Sequence, residues 1–101
     1  MSETIEKLVK TIKSRKGSDV KSSYTALLLS KGNNHCLNKL KEELAELEDA
    51  IINNKNTVHE TADVIYHLLV TLESAGINFG DIMMELKKRE GTSGIKEKGN
   101  R

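Results

Sequence analysis

Apolar side chains recur at steps of three and four residues along most of this chain, the spacing of one face of an α-helix. The clearest case is residues 34–53, where the repeating positions are Leu37, Leu40, Leu44, Leu47 and Ile51. This stripe is predicted to be core. Residues 58–75 are apolar on almost every side, which predicts nearly complete burial. No stretch alternates with the period of two that is typical of strands, so the pattern predicts an all-α fold.

Three shorter helices are predicted over residues 2–14, 23–31 and 81–88. Gly32 and Asn33 follow the second of these, and Gly76 follows the long apolar helix; such residues tolerate the left-handed conformation found at helix ends. The sequence contains no proline, which also favours helix. We therefore expect one domain over residues 1–101, a helical bundle of about four to five helices, with residues 90–101 as a flexible C-terminal tail.

A chain of 101 residues forms one small domain with a modest core. Two helices with this much apolar surface are more than such a monomer easily covers. The sequence therefore predicts a homodimer or higher oligomer, with a four-helix core completed by dimerisation.

Charge and composition exclude several classes of function. Lysine and arginine total 16 against 15 acidic residues, which gives no electrostatic reason to bind nucleic acid or a membrane. Tyr24, Tyr66 and Phe79 are far apart along the chain, so no platform for stacking bases is expected. The single cysteine, Cys36, is expected to pack in the core. With no apolar span and no leader pattern, a cytoplasmic location is expected.

The most informative chemistry is a pair of acidic motifs on neighbouring predicted helices. Glu43 and Glu46 are three residues apart on the third helix, and Glu60 and Asp63 are three apart in the first turns of the fourth. Residues at this spacing share a helix face. One such pair is usually a solvated face, and acids near a helix N-terminus are favourable by themselves. Two pairs facing each other instead suggest a cage for Mg2+, with Mn2+ as an alternative.

Other familiar catalytic arrangements are missing from the sequence. His35, His59 and His67 lack zinc-site spacing, and His67 is expected to be a core histidine. There is no glycine-rich phosphate loop, so phosphates would be held by the metal and by basic side chains. The candidates for phosphate contacts are Arg15, Lys16, Lys39, Arg89, Lys98 and Arg101.

The acidic motifs also carry a resemblance to a known superfamily. The chain resembles the all-α NTP pyrophosphohydrolase (MazG-like) superfamily in the pattern of these motifs. The pattern is Glu43-Leu-Ala-Glu46, then thirteen residues, then Glu60-Thr-Ala-Asp63. Three further segments narrow the resemblance to the phosphoribosyl-ATP pyrophosphohydrolase family of histidine biosynthesis. They are Ser23-Tyr24-Thr25, Tyr66-His67 and the tail from Arg89 to Arg101.

That resemblance implies Mg2+-dependent hydrolysis of phosphoribosyl-ATP to phosphoribosyl-AMP and pyrophosphate. Glu43, Glu46, Glu60 and Asp63 would be the metal ligands, with Glu43 or Glu46 acting on the attacking water. Lys39 and Arg15 would contact phosphate, and a tail carrying Arg89, Lys98 and Arg101 would close over the substrate. The family is often fused to phosphoribosyl-AMP cyclohydrolase, so a separate cyclohydrolase is expected here.

Two alternatives remain open on the sequence. One is a house-cleaning enzyme of the same superfamily that cleaves free or damaged nucleoside triphosphates. The other is a non-catalytic helical oligomerisation module, whose acidic pairs form salt bridges only.

Overall fold

The computed structural model describes residues 2–91, which form five α-helices and, within that range, no strand. The helices are α1 (Ser2–Arg15), α2 (Tyr24–Lys31), α3 (Asn33–Asn53), α4 (Thr57–Ser74) and α5 (Phe79–Lys88). The predicted all-α class is confirmed, and each predicted helix lies within two residues of its observed bounds. The described part of the chain contains no helix long and apolar enough to cross a bilayer.

Local sequence signals account for the boundaries of α2. The Ser23 side chain accepts a hydrogen bond from the backbone N–H of Ala26 at 3.1 Å, satisfying one of the free donors at the helix start. At the other end, Gly32 has φ 87°, a conformation that glycine adopts without steric cost. The same glycine immediately precedes α3, so the two helices are joined without a longer loop.

Four helices contribute buried residues to the hydrophobic core, and Phe79 of α5 packs against it. Its buried members are Ile12 of α1, Leu28 of α2, Cys36 of α3, and Leu69 and Val70 of α4. The Cys36 thiol donates to the backbone carbonyl of Leu28 at 3.3 Å, and the side chain is 2% exposed. The prediction that this cysteine packs in the core is confirmed.

Much of the predicted core stripe of α3 lies at the surface of the single chain. Leu37, Leu44 and Ile51 are 42%, 47% and 62% exposed, and the expectation of a buried stripe is wrong for these residues. On α4, Val58 is 83% exposed and Ile65 38%, so the expectation of nearly complete burial is also wrong there. Periodicity identifies an apolar face but not what covers it, and helices of one small chain leave these faces uncovered.

A tight turn joins α3 to α4 and makes the two helices a hairpin. Asn54 and Asn56 both adopt left-handed conformations, with φ 53° and 59°. These are among the few non-glycine residue types that do so readily. The N–H of Lys55 donates to the carbonyl of Ala50 at 3.0 Å, closing the end of α3. The start of α4 is thereby held next to the end of α3.

Candidate active site

The α3–α4 hairpin brings the two acidic pairs together. Carboxylate oxygens of Glu43, Glu46 and Glu60 lie within 4.8 Å of one another, although these residues come from different helices. A second group contains Glu60 and Asp63 with the imidazole of His59, also within 4.8 Å. Glu60 belongs to both groups and links the two pairs into one cluster, which we call the carboxylate cage (Glu43, Glu46, Glu60 and Asp63).

Two oxygens of the cage have no partner that compensates their burial. Oε2 of Glu43 and Oε2 of Glu60 are shielded from solvent and accept no hydrogen bond. Burial raises the pKa of the Glu43 carboxyl above its ordinary value, and the neighbouring Glu46 and Asp63 raise that pKa further, whereas His67 lowers it. The cage is therefore electrostatically costly as it stands.

This donor set fits a divalent cation. Buried, unpartnered carboxylate oxygens cost free energy unless a positive charge or a donor compensates them. Oxygen-only ligands of this kind suit Mg2+ or Mn2+. Within residues 2–91 no lysine forms an ion pair with a cage carboxylate, and Lys39 pairs with Glu42 instead, at 3.6 Å.

His59 lies beside the carboxylate cage, a position that the sequence analysis did not predict. Its Nε2 lies 3.3 Å from Oδ2 of Asp63, and its side chain is 73% exposed. The signal was present in the sequence, because residues four apart on a helix are neighbours. A search for pairs of histidines at zinc-site spacing does not detect a histidine placed beside an acidic pair.

His67 behaves as the core histidine that was expected. It is 6% exposed, and its Nδ1 donates to the backbone carbonyl of Asp63 at 3.0 Å rather than to the carboxylate. Its Nε2 lies 3.5 Å from the hydroxyl of Tyr24. The ring thus connects the floor of the cage to the start of α2.

The tyrosines are close in space, contrary to the expectation from the sequence. The rings of Tyr24 and Tyr66 are stacked, with centroids 6.4 Å apart and planes at 19°. The Tyr66 hydroxyl is hydrogen-bonded to Thr25, and burial raises its pKa while that bond lowers it. The expectation that the aromatic residues lie apart was wrong for the two tyrosines. They are 42 residues apart in the sequence, but the packing of α2 on α4 brings them together.

A cleft of about 290 Å³ opens beside the cage at the hairpin turn. Its lining residues are Glu46, Asp49, Ala50, Asn53, Lys55, Asn56 and Glu60. Lys55 brings a positive charge next to two of the cage acids, and it was not among the phosphate contacts predicted from the sequence. Its place in the turn between the two acidic motifs was the available signal.

The predicted phosphate contacts are scattered. Arg15 and Lys16 are exposed near the end of α1, and Arg89, which follows α5, pairs with Glu85 of that helix at 3.2 Å. Within the described range, neither these residues nor Lys39 forms an ion pair with the cage. Lys98, Arg101 and most of the predicted tail lie outside the described residues.

Comparison with known proteins matches the sequence of this chain to one family. The family model described as "Phosphoribosyl-ATP pyrophosphohydrolase" matches residues 5–90. A "Phosphoribosyl-ATP pyrophosphatase" of Cereibacter sphaeroides is 43% identical over 99 residues, covering 96% of each chain. A protein of the same name from Dechloromonas aromatica is 44% identical, covering 96% of this chain and 92% of its own.

A longer relative occurs in Wolinella succinogenes. This "Histidine biosynthesis bifunctional protein HisIE" is 44% identical over 99 residues, which cover 96% of this chain but 43% of the relative. The matches span nearly the whole of this chain, including both acidic motifs. The chain belongs to the phosphoribosyl-ATP pyrophosphohydrolase family.

Proposed function

We propose that this protein hydrolyses phosphoribosyl-ATP to phosphoribosyl-AMP and pyrophosphate, the second step of histidine biosynthesis. The observation that carries the proposal is the carboxylate cage, in which two helices of a chain of this family bring four acids together. The names of the relatives support the same reaction.

The cage is the proposed metal site. Glu43, Glu46, Glu60 and Asp63 would hold Mg2+, with Mn2+ as the alternative, and the buried Oε2 atoms of Glu43 and Glu60 support this assignment. When bound, the ion would supply positive charge to offset that of the triphosphate and would make a nearby water more acidic.

The first acidic pair is the proposed base. Glu43 has a raised pKa and lies beside Glu46, so the pair is suited to accept a proton from the attacking water. As the water oxygen bonds to phosphorus, the bond between the α and β phosphates breaks and pyrophosphate leaves. A positioned base contributes a factor of ~10²–10⁴ in rate. Glu60 and Asp63 would act mainly as ligands.

Lys55 is the proposed contact for the phosphate chain. It lines the cleft beside Glu46 and Glu60, where a triphosphate bound at the cage would extend. Its ammonium group would offset phosphate charge that the metal leaves uncompensated. Arg15, Lys39 and Arg89 are also proposed as phosphate contacts, although Lys39 and Arg89 have acidic partners in this structure.

A second copy of the chain is the proposed partner. An apolar groove of about 440 Å³ is lined mainly by Ile5, Ile65, Leu68, Phe79, Met83 and Leu86. Leu37 and Leu44 of α3 are exposed as well, so the chain leaves more apolar surface uncovered than a small solvated domain usually does. We propose that a homodimer covers the groove.

We also propose that the enzyme acts in the cytoplasm, where a separate phosphoribosyl-AMP cyclohydrolase would take its product.

The test is pyrophosphate release from phosphoribosyl-ATP by the purified protein, with Mg2+ and with a chelator. dATP and dCTP are the comparison substrates. Mg2+-dependent turnover that strongly prefers phosphoribosyl-ATP is expected. Equal turnover of the deoxynucleotides would favour the house-cleaning enzyme instead, and no turnover of any substrate would favour the oligomerisation module.

A further inference from the structure

The first two turns of α4 contain a mixed group of nitrogen and oxygen donors. His59 and Asp63 are one turn apart on the same helix face, and Glu60 follows His59 directly. One donor atom from each of the three residues lies within 4.8 Å of the other two. The imidazole distinguishes this group from the three carboxylates of Glu43, Glu46 and Glu60.

The distance within this group suits shared coordination. Adjacent ligands of an octahedral ion, each about 2.1 Å from it, lie about 3 Å apart. Nε2 of His59 and Oδ2 of Asp63 are 3.3 Å apart without rearrangement. One ion could therefore contact both atoms after a small adjustment of either side chain.

Stability alone gives this contact little purpose. The His59 side chain is 73% exposed and that of Asp63 39%. Ion pairs at such positions contribute little to folding, since water screens them. An exposed imidazole next to two carboxylates is, however, open to an ion and to its remaining water ligands.

We propose that His59 Nε2, together with Glu60 and Asp63, binds a first-row transition-metal ion on the solvent side of the carboxylate cage. The inference rests on the proposed function, because Glu60 and Asp63 are also proposed Mg2+ ligands. Imidazole nitrogen binds transition-metal ions, whereas Mg2+ takes oxygen ligands almost exclusively. His59 thus gives this chain a preference for ions such as Mn2+ that its four acids alone would not provide.

The test uses Mn2+ as the probe in the full chain. Pulsed electron paramagnetic resonance detects nitrogen bound directly to Mn2+, a signature that a merely structural histidine does not produce. The key variant is His59→Gln, and the matched control is His35→Gln, which removes an imidazole two turns before Glu43 on α3. The dissociation constants for Mn2+ and Mg2+ are measured by titration on the same samples.

Nitrogen coupling is expected in the unmodified protein and in His35→Gln, and not in His59→Gln. The dissociation constant for Mn2+ should rise about tenfold in His59→Gln, while that for Mg2+ should change little. Absence of nitrogen coupling in the unmodified protein, or its persistence in His59→Gln, would overturn the inference.

Failure of this inference is separable from failure of the proposed function. Mn2+ bound without nitrogen coupling, in a protein that releases pyrophosphate with Mg2+, overturns the role of His59 and leaves the cage standing. A protein that binds neither ion and releases no pyrophosphate overturns both.

Discussion

Glu43 on α3 and Glu60 on α4 have carboxylate oxygens within 4.8 Å of each other, and each residue has an Oε2 atom that neither solvent nor a donor reaches. Two like charges held this way disfavour the folded state unless a cation lies between them. The arrangement is therefore more easily explained as a site for a cation than as a contribution to the stability of the fold.

Replacing Glu60 with glutamine should remove metal binding while keeping the fold. Glu60→Gln removes the charge shared by both halves of the cage, so Mg2+-dependent pyrophosphate release should fall at least ~10²-fold. The rise in melting temperature on adding Mg2+ should disappear as well. Scanning calorimetry with Mg2+ and with chelator, alongside the activity assay, measures both effects.

The matched control for this variant is Glu48→Gln, which alters an exposed acid on α3 outside the cage. It should keep both activity and the response to Mg2+. A Glu60→Gln protein that is still stabilised by Mg2+ as much as the unmodified protein would contradict the cage assignment.

The raised pKa of Glu43 predicts a pH dependence of stability in metal-free protein. Between the ordinary value of 4.5 and the raised value, the folded chain holds a proton that the unfolded chain has released. The stability that this group contributes is therefore fully present below pH 4.5, and it is lost as the pH rises through the raised pKa of the folded chain. Denaturant unfolding in chelator, from mildly acidic to neutral pH, measures it.

Glu43→Gln has no carboxyl to titrate and should lose this part of the pH dependence. At neutral pH with chelator, the variant should be at least as stable as the unmodified protein, although it is inactive. Parallel stability curves for the two proteins across the pH range would rule out an unfavourable Glu43 charge.

Lys55 should affect substrate binding more than the rate of the chemical step. Lys55→Gln removes a positive charge from the cleft beside Glu46 and Glu60, so KM for phosphoribosyl-ATP should rise about tenfold with a smaller change in kcat. Lys41→Gln, on the exposed surface of α3, is the control and should leave KM unchanged. Steady-state kinetics at saturating Mg2+ distinguish the variants; an unaltered KM in Lys55→Gln would exclude the phosphate contact.

A charge placed in the apolar groove should separate the proposed dimer. Ile65 lines the groove, and Ile65→Glu would bury a carboxylate between two copies, at a cost of several kcal/mol. Met84→Glu is the control, because Met84 is 72% exposed and lies outside the groove. Light scattering coupled to gel filtration should show a dimer for the control and a monomer for Ile65→Glu. If Ile65→Glu were a dimer like the control, the interface would have to lie elsewhere on the chain.

The sequence predicted the helices well, and it predicted that the acidic pairs lie close together, because both depend on local spacing. Glu43 and Glu46, or Glu60 and Asp63, share a helix face whatever the rest of the chain does. The short link between their helices then leaves few ways to pack them. The contact of His59 with Asp63 also depends on local spacing, because the two residues are one helical turn apart. The sequence therefore contained enough information to predict it.

The sequence did not predict features that depend on how helices pack. Tyr24 and Tyr66 stack because α2 packs on α4, and no periodicity records that contact. The stripe of Leu37, Leu44 and Ile51 is apolar in either a core or an interface, so its exposure could not be read from the pattern. Lys55 gained its position from the left-handed asparagines on either side of it.

The tight turn at residues 54–56 also has a consequence for the order of folding. All four cage acids lie between residues 43 and 63, so a single short loop closure brings them together. Contacts between residues close along the chain form early and rapidly. Like charges would then meet while much of the chain is still unfolded, and a divalent cation is expected to speed folding as well as to slow unfolding.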